Sequence, residues 1–291
     1  MFRNQVFILL LMTCASPMLG VSGVLAQTST SSATQAETGL KTTEQILNQV
    51  CDFFKAQKSF TYEMDITYED VLDSGSKVQY SAYQKTWVEK PNRMRSDYVG
   101  DQRVTRFYYD GQNFSLFAPD LDYYATKAAP ESLDAVLDKI DQKFGITIPM
   151  SNLVASDPCA DMKTDVRSMI FVGSNMVNRI PMYQILMEGQ ERDYQIWVTR
   201  DPQPLLKKAI ITYKTLPGSP QYTAVFSNWN FNPNTPAETF TFSPPVGAKK
   251  IEFLPTQVLP ASVTGGASQN NVAEPTEPLP ANGTNNLPQQ W

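Results

Sequence analysis

Residues 102–126 read QRVTRFYYDGQNFSLFAPDLDYYAT, and their pattern decides the fold. Residues 102–110 are rich in Val, Thr, Phe and Tyr, which suit a pleated, half-buried surface. Asp110-Gly111 predicts a two-residue type I′ turn, whose twist matches that of a hairpin. Asn113–Ala118 runs back, Pro119-Asp120 turns the chain again, and residues 122–126 make a third strand. The stretch is a β-meander with aromatic residues on both faces.

Upstream the same architecture continues. In residues 59–72, Phe60, Tyr62, Met64, Ile66 and Tyr68 alternate with Thr61, Glu63, Asp65, Thr67 and Glu69. Strict period 2 means one buried and one solvated face. Lys77–Glu89, with Tyr80, Tyr83 and Trp87, and residues 93–99 add two more strands, separated by Lys90-Pro91-Asn92. Ahead of them, Ile46, Leu47, Val50, Cys51, Phe53 and Phe54 recur at helical spacing behind a cap at Thr43 or Thr42. Such an amphipathic helix must lie on an apolar surface, and the sheet supplies one.

Downstream the period changes. Pro130 opens a helix carrying Leu133, Val136, Leu137, Ile140 and Phe144 as far as Gly145. Residues 146–155 are apolar and broken by Pro149, and Asp157-Pro158 opens a further helical turn. Residues 128–166 therefore read as a helical insertion over the mouth or concave face of the sheet. Strands resume at 169–172, then 181–188 with 192–199 and 205–214 with 222–232, with short closing strands at 240–242 and 251–253. The expected fold is mainly β within the α+β class. One domain, 40–255, holds roughly ten or eleven antiparallel strands, curved into a half-open barrel with helices covering or plugging its concave side. Residues 27–39 read as a disordered leader and 256–291 as a disordered tail rich in Pro and Asn.

Residues 1–26 read as a signal peptide. One Arg precedes a short apolar run, and Val24-Leu25-Ala26 fits a small-x-small cleavage site. The run is too short and too broken by Ser16-Pro17 and Gly20 to make a good membrane anchor. The expected location is the periplasm or the exterior, after cleavage near Ala26. Cys14 leaves with the signal. Cys51 and Cys159 remain, either paired, as an oxidising compartment allows, or as two buried thiols.

Composition excludes several functions. The chain carries 24 basic and 29 acidic residues, a net charge of −5, which disfavours a nucleic acid partner. It has no histidine, so histidine-based acid/base catalysis, Ser-His-Asp and Cys-His sites and histidine metal sites are absent. There is no G-x-S-x-G, Walker A, G-x-G-x-x-G or C-x-x-C motif, and no metal or cofactor is expected. Asp65, Asp70, Asp97, Asp101, Asp110, Asp120 and Asp122 offer carboxylates for glycoside cleavage, but turns and the polar strand face explain them as well.

Tyr62, Met64, Ile66, Tyr68 and Tyr80 are the candidates to line a ligand cavity, although such a stripe also describes ordinary core. Arg93 and Arg95 are candidates for an anionic head group. Together with Arg103 and Arg106 they suit a cross-strand network with Asp97 and Asp101 better.

The meander YYDGQNFSLFAPDLDYYAT and the step Lys90-Pro91-Asn92-Arg93-Met94-Arg95 resemble those of periplasmic lipoprotein carriers of the LolA, LolB and LppX type. A wider span resembles a family of predicted exported bacterial proteins of unknown function. Its marks are Tyr108-Tyr109-Asp110-Gly111, Asp157-Pro158, YKTLPGSPQYTAVFSNWNFNP (213–233) and FTFSPPVGAKKIEFLP (240–255). The carrier resemblance implies a half-open barrel with a helical lid and a hydrophobic cavity for acyl chains. The expected function is a non-catalytic periplasmic binder or carrier of a lipid or a lipoprotein acyl group. The alternatives are an envelope sensor or scaffold that binds another protein, and an envelope-polymer hydrolase.

Overall fold

The structure is a computed structural model, and it describes residues 42–254. The signal peptide, the leader and the tail lie outside the described residues. Twelve strands form one sheet. They are β1 (Ser59–Val71), β2 (Lys77–Glu89), β3 (Arg93–Gly100), β4 (Val104–Tyr109), β5 (Asn113–Ala118), β6 (Tyr123–Ala128), β7 (Val166–Val177), β8 (Ile180–Gly189), β9 (Arg192–Val198), β10 (Leu206–Tyr213), β11 (Gln221–Asn230) and β12 (Lys249–Lys250). Their order is β12-β6-β5-β4-β3-β2-β1-β11-β10-β9-β8-β7. All neighbours pair antiparallel except β12, which runs parallel to β6. The two ends, β12 and β7, do not pair with each other, so the barrel is open. β1 joins two meanders, β1 to β6 and β7 to β11, by pairing with β2 on one side and β11 on the other.

Register sets which side chains share the concave face. Phe60, Tyr62, Met64, Ile66 and Tyr68 of β1 stand opposite Val88, Thr86, Gln84, Ala82 and Tyr80 of β2. Val88, Thr86 and Gln84 in turn stand opposite Met94, Ser96 and Tyr98 of β3. Across β11 the inner positions are Phe226, Ala224 and Tyr222. Because side chains alternate along a strand, Arg93, Arg95 and Asp97 fall on the opposite, convex face.

Three α-helices accompany the sheet: α1 (Thr43–Ala56), α2 (Leu133–Phe144) and α3 (Ala160–Asp165). Thr42 is the cap of α1. Its hydroxyl accepts from the Gln45 N–H while the Gln45 side chain accepts from the Thr42 N–H, a reciprocal capping box. The buried stripe Ile46, Leu47, Val50, Cys51 and Phe54 lies on the sheet, with Phe54 packed against the Phe60, Trp229 and Phe231 rings. α2 starts behind Ser132 and ends on Gly145, whose φ of 61° is the left-handed conformation that stops a helix.

Three local expectations are corrected. Only Gly111 has positive φ in the β4–β5 turn, so the turn is not type I′, and the Asp110 carboxylate accepts from the Gln112 and Asn113 N–H groups. The expected closing strands at 240–242 and 251–253 do not form. Pro236 caps a 3-10 turn, Ala237–Phe240, that takes the first stretch, and beside the second only the two-residue β12 pairs with β6. β7 spans twelve residues where four were expected, because Gly173-Ser174-Asn175 interrupts the apolar run although the strand stays paired to β8 through them.

Candidate ligand cavity

A cavity of about 340 Å³ opens on the concave face over β9, β10 and β11. Its floor comes from Tyr194 and Ile196 of β9, Ala209 and Ile211 of β10 and Tyr222 of β11. The space has a local cause. One cross-strand row reads Ile66, Ala224, Ala209, Ile196, and of it Ala209 and Ile196 line the space, Ala209 with a small side chain where the next row is large. The next row, Tyr68, Tyr222, Ile211, Tyr194, is tall.

Leu47, Val50, Cys51 and Phe54 of α1 make one wall, and Leu137 and Ile140 of α2 another. The roof is residues 146–153 with Pro158, Cys159 and Met162. Cys51 and Cys159 are joined by a disulfide, with Cα atoms 5.8 Å apart and a sequence separation of 108. The bond ties the roof to α1. Lys90 makes a second tie: its ammonium donates to Phe54 O of α1 at 3.2 Å and to Ala155 O of the roof at 2.9 Å. Burial lowers the Lys90 pKa, against the pull of Asp134.

The lining also carries polar groups. Asp134 accepts from Ser156 N at 2.8 Å and Asp141 from the Thr147 hydroxyl at 2.6 Å, while Asp138 between them is exposed. Arg192 also lines the cavity, its guanidinium 5.5 Å from the Tyr213 ring. Burial pushes the Tyr213 phenol up to about 12 and the Tyr222 phenol well above its ordinary value. Both are neutral donors at physiological pH. A smaller cavity of about 110 Å³ shares the Ile146 to Pro149 segment and reaches Gln84, Ser96, Tyr98 and Arg103. Gln84 is fully buried. Its amide N–H donates to Thr86 and to Pro149 O, and its Oε1 has no hydrogen-bond partner among the described residues.

The residues singled out from sequence fall elsewhere. Tyr62, Met64, Ile66 and Tyr68 are on the concave face but buried in close packing, with Tyr62 against the Phe226 and Trp229 rings. Tyr80 lies 5.6 Å from Tyr68, ring to ring. None of the five lines either cavity. Arg95 is on the convex face, its guanidinium 5.1 Å from the Trp87 ring, 4.9 Å from the Tyr108 ring and doubly bonded to Asp97. Arg93 pairs with Glu89. Neither arginine reaches the concave side, because both alternate out of it with Met94. The expected four-arginine network is not formed among the described residues: Arg103 lies over Tyr98, and Asp101 accepts from Ser81 N.

None of Asp65, Asp70, Asp97, Asp101, Asp110, Asp120 and Asp122 lines either cavity. Three others do, Asp134, Asp138 and Asp141, all on α2; Asp134 and Asp141 each accept a hydrogen bond from the roof segment, from Ser156 N and the Thr147 hydroxyl. Among the described residues no cluster of His, Cys, Asp or Glu could hold a metal ion, and no helix is long and apolar enough to cross a membrane.

Among solved structures, an uncharacterized conserved protein from Thermus thermophilus aligns at 6% identity, covering 73% of this chain and 99% of its own, with a TM-score of 0.42. LprF from Mycobacterium bovis aligns at 10% identity over 66% and 94% of the two chains, with a TM-score of 0.41. A LolA superfamily protein from Nitrosomonas europaea aligns at 12% identity over 70% and 99%, with a TM-score of 0.32. No curated protein matches the sequence. Residues 43–254, which take in every element of the sheet and the whole cavity, match the family described as "Predicted periplasmic protein (DUF2092)", and the chain belongs to that family.

Proposed function

We propose that the protein is a non-catalytic periplasmic binder or carrier, exported by cleavage near Ala26, that holds a lipid or the acyl part of an acylated protein over β9–β11. One observation supports this above the others: a space of about 340 Å³ floored by Ala209 and roofed by a segment that a disulfide ties to α1. Its lining is mainly aliphatic and aromatic, and it also carries Asp134, Asp138, Asp141 and Arg192. Such a space suits a hydrocarbon chain whose polar end stays at the opening. The volume lies at the low end of small-molecule sites, which favours one acyl chain over several.

The test is native mass spectrometry of the exported protein, followed by organic extraction, beside an Ala209→Phe variant whose ring fills the floor. A bound lipid mass in the parent and its loss in the variant is the expected result, with the urea midpoint little changed. If the parent flies bare and binds no fluorescent fatty acid, the reading fails. The scaffold alternative then gains weight. It has its own support in the filled half of the concave face around Tyr62, Phe226 and Trp229. Capture of envelope proteins with and without residues 256–291 would test it.

A further inference from the structure

We infer that the free edge of the sheet, β7 together with the β7–β8 hairpin, is a docking surface for an anionic lipid bilayer. The two ends of the sheet are built differently. At one end the terminal strand, β12, is two residues long and both are exposed lysines, a guarded edge. At the other, β7 runs for twelve residues, and among the described residues no strand pairs with the outer side of its backbone. Met169, Ile170, Phe171 and Val172 follow one another along it and are 37–46% exposed. They project on both faces of the strand, so no single layer of the fold covers them. Met176 at 68% and Ile180 at 56% continue the apolar surface to the hairpin tip.

Charge identifies the occupant. Residues 166–187 contain Arg167 and Arg179 and no acidic residue, in a chain where acids outnumber bases 29 to 24. The tip turn holds Asn178 and Arg179 at positive φ, a tight hairpin that carries Arg179 exposed between Met176 and Ile180. Arg200, beside Ser174 and over the Tyr183 ring, adds a third guanidinium next to β7. The acids near this edge gather at its Arg167 end, where Asp165 precedes the strand, Glu188 accepts from Ser168 and Arg167 donates to Gln190, so the excess of positive charge is at the hairpin tip, with Arg179 and Arg200 against Asp201.

Exposed apolar side chains set among arginines match a bilayer interface. Phosphates there meet the guanidinium groups, and short apolar side chains enter the acyl boundary. Head groups and interfacial water also satisfy the outward N–H and C=O groups of the edge. A second copy of the chain fits less well. Two β7 strands paired antiparallel would bring arginines together with no carboxylate from either strand. The register shifts between Val166 and Ser168 and between Phe171 and Gly173 also interrupt the ladder a partner strand would need. The inference stands apart from the cavity and holds whether or not that space carries a ligand.

The experiment is co-sedimentation of the exported full chain with phosphatidylcholine vesicles, alone or mixed with phosphatidylglycerol, at low and high salt. Binding to the mixed vesicles that weakens with salt is expected. An Arg167→Glu/Arg179→Glu pair lowers the partition coefficient about tenfold or more, at roughly 1 kcal/mol for each basic residue near such a surface. A Met176→Ser/Ile180→Ser pair lowers it by about tenfold, through lost apolar burial. All four sites are exposed, and far-UV circular dichroism of each variant shows whether the fold is kept. No binding to mixed vesicles at low salt, or binding that neither pair reduces in folded protein, overturns the inference. A dimer in sedimentation equilibrium that the same substitutions dissociate, without vesicle binding, assigns the edge to a second copy instead.

Discussion

Lys90 shows how much one side chain can hold. Its half-buried ammonium bridges the last turn of α1 and the roof of the cavity through two carbonyls. Lys90→Met keeps much of the stem but leaves the Ala155 carbonyl without this donor, at a cost of about 1–3 kcal/mol, to be read from urea unfolding. The pH dependence has a definite sign. Burial lowers the folded-state pKa below the unfolded one, so the charged form weakens the native state. The contribution is recovered as pH rises through the lowered pKa toward the ordinary lysine range at about 10.4. The parent should therefore gain stability relative to Lys90→Met across that window, and a parallel pair of pH profiles would sink the assignment.

At the β8–β9 turn, burial of Asp165 opposes its ionisation, but N–H donors from Glu191, Gln190 and Arg192 outweigh this and lower its pKa. A depressed carboxylate stabilises above its unfolded pKa, about 3.9, and that stability is lost as pH falls through the folded value. Asp165→Asn should flatten the acid limb of the stability profile. Gly189 lies against the same clasp: a Cβ there would sit 2.3 Å from Arg192 O and from Asp165 Oδ2. Gly189→Ala should cost about 1–3 kcal/mol in thermal or urea unfolding.

Among the elements, α1 and the roof depend most on a covalent tie. The Cys51–Cys159 bond spans a sequence separation of 108, for which the chain-entropy account gives about 4–5 kcal/mol. A Cys51→Ala/Cys159→Ala variant should lose stability of that order in urea. If the cavity is a lipid site, the variant should also retain less lipid through extraction than the parent. Unchanged stability would mean that packing of Ile46, Leu47, Val50 and Phe54 already holds α1. The helices themselves are legible in the chain, since the apolar stripe and Thr42-x-x-Gln45 are local signals. Cys159 is the one partner the sequence leaves for Cys51, but whether the two pair is not legible, because spacing along a chain says nothing about whether two thiols meet.

For the whole molecule the main feature is an asymmetry between two halves of one concave face. Around β1, the rings of Tyr62, Phe226 and Trp229 fill the space, and Phe226 is 2% exposed. Over β9–β11 the space is open. Phe226→Ala should therefore cost about 3–5 kcal/mol, while Leu137→Ala, at a wall already facing a void, should cost less than about 2 kcal/mol. Comparable losses from denaturant titration would mean that the cavity closes in solution. The same asymmetry explains why Tyr62, Met64, Ile66 and Tyr68 are attractive in sequence yet lie outside the cavity. Clean alternation marks a strand buried on one face, and the best-buried strand is the central one, β1, where packing is complete. Ala209, Ile211 and Tyr194 alternate as well, but nothing near them in sequence tells that the helices stop short of filling the space above.

The amino-acid sequence by itself determined β1 to β6 and β8 to β11, the meander order, the helical interruption after β6 and the absence of histidine chemistry. These depend on periodicity, turn residues and composition, which are local. The tertiary structure alone decided the pairing of β1 with β11, the side of the sheet on which Arg93 and Arg95 stand, the tie between Cys51 and Cys159, and the place of the cavity. Each of these depends on register and on volumes summed over strands far apart in the chain. A shift of one residue exchanges the two faces of a strand, and a small side chain such as Ala209 leaves a void only where no side chain from another element reaches it.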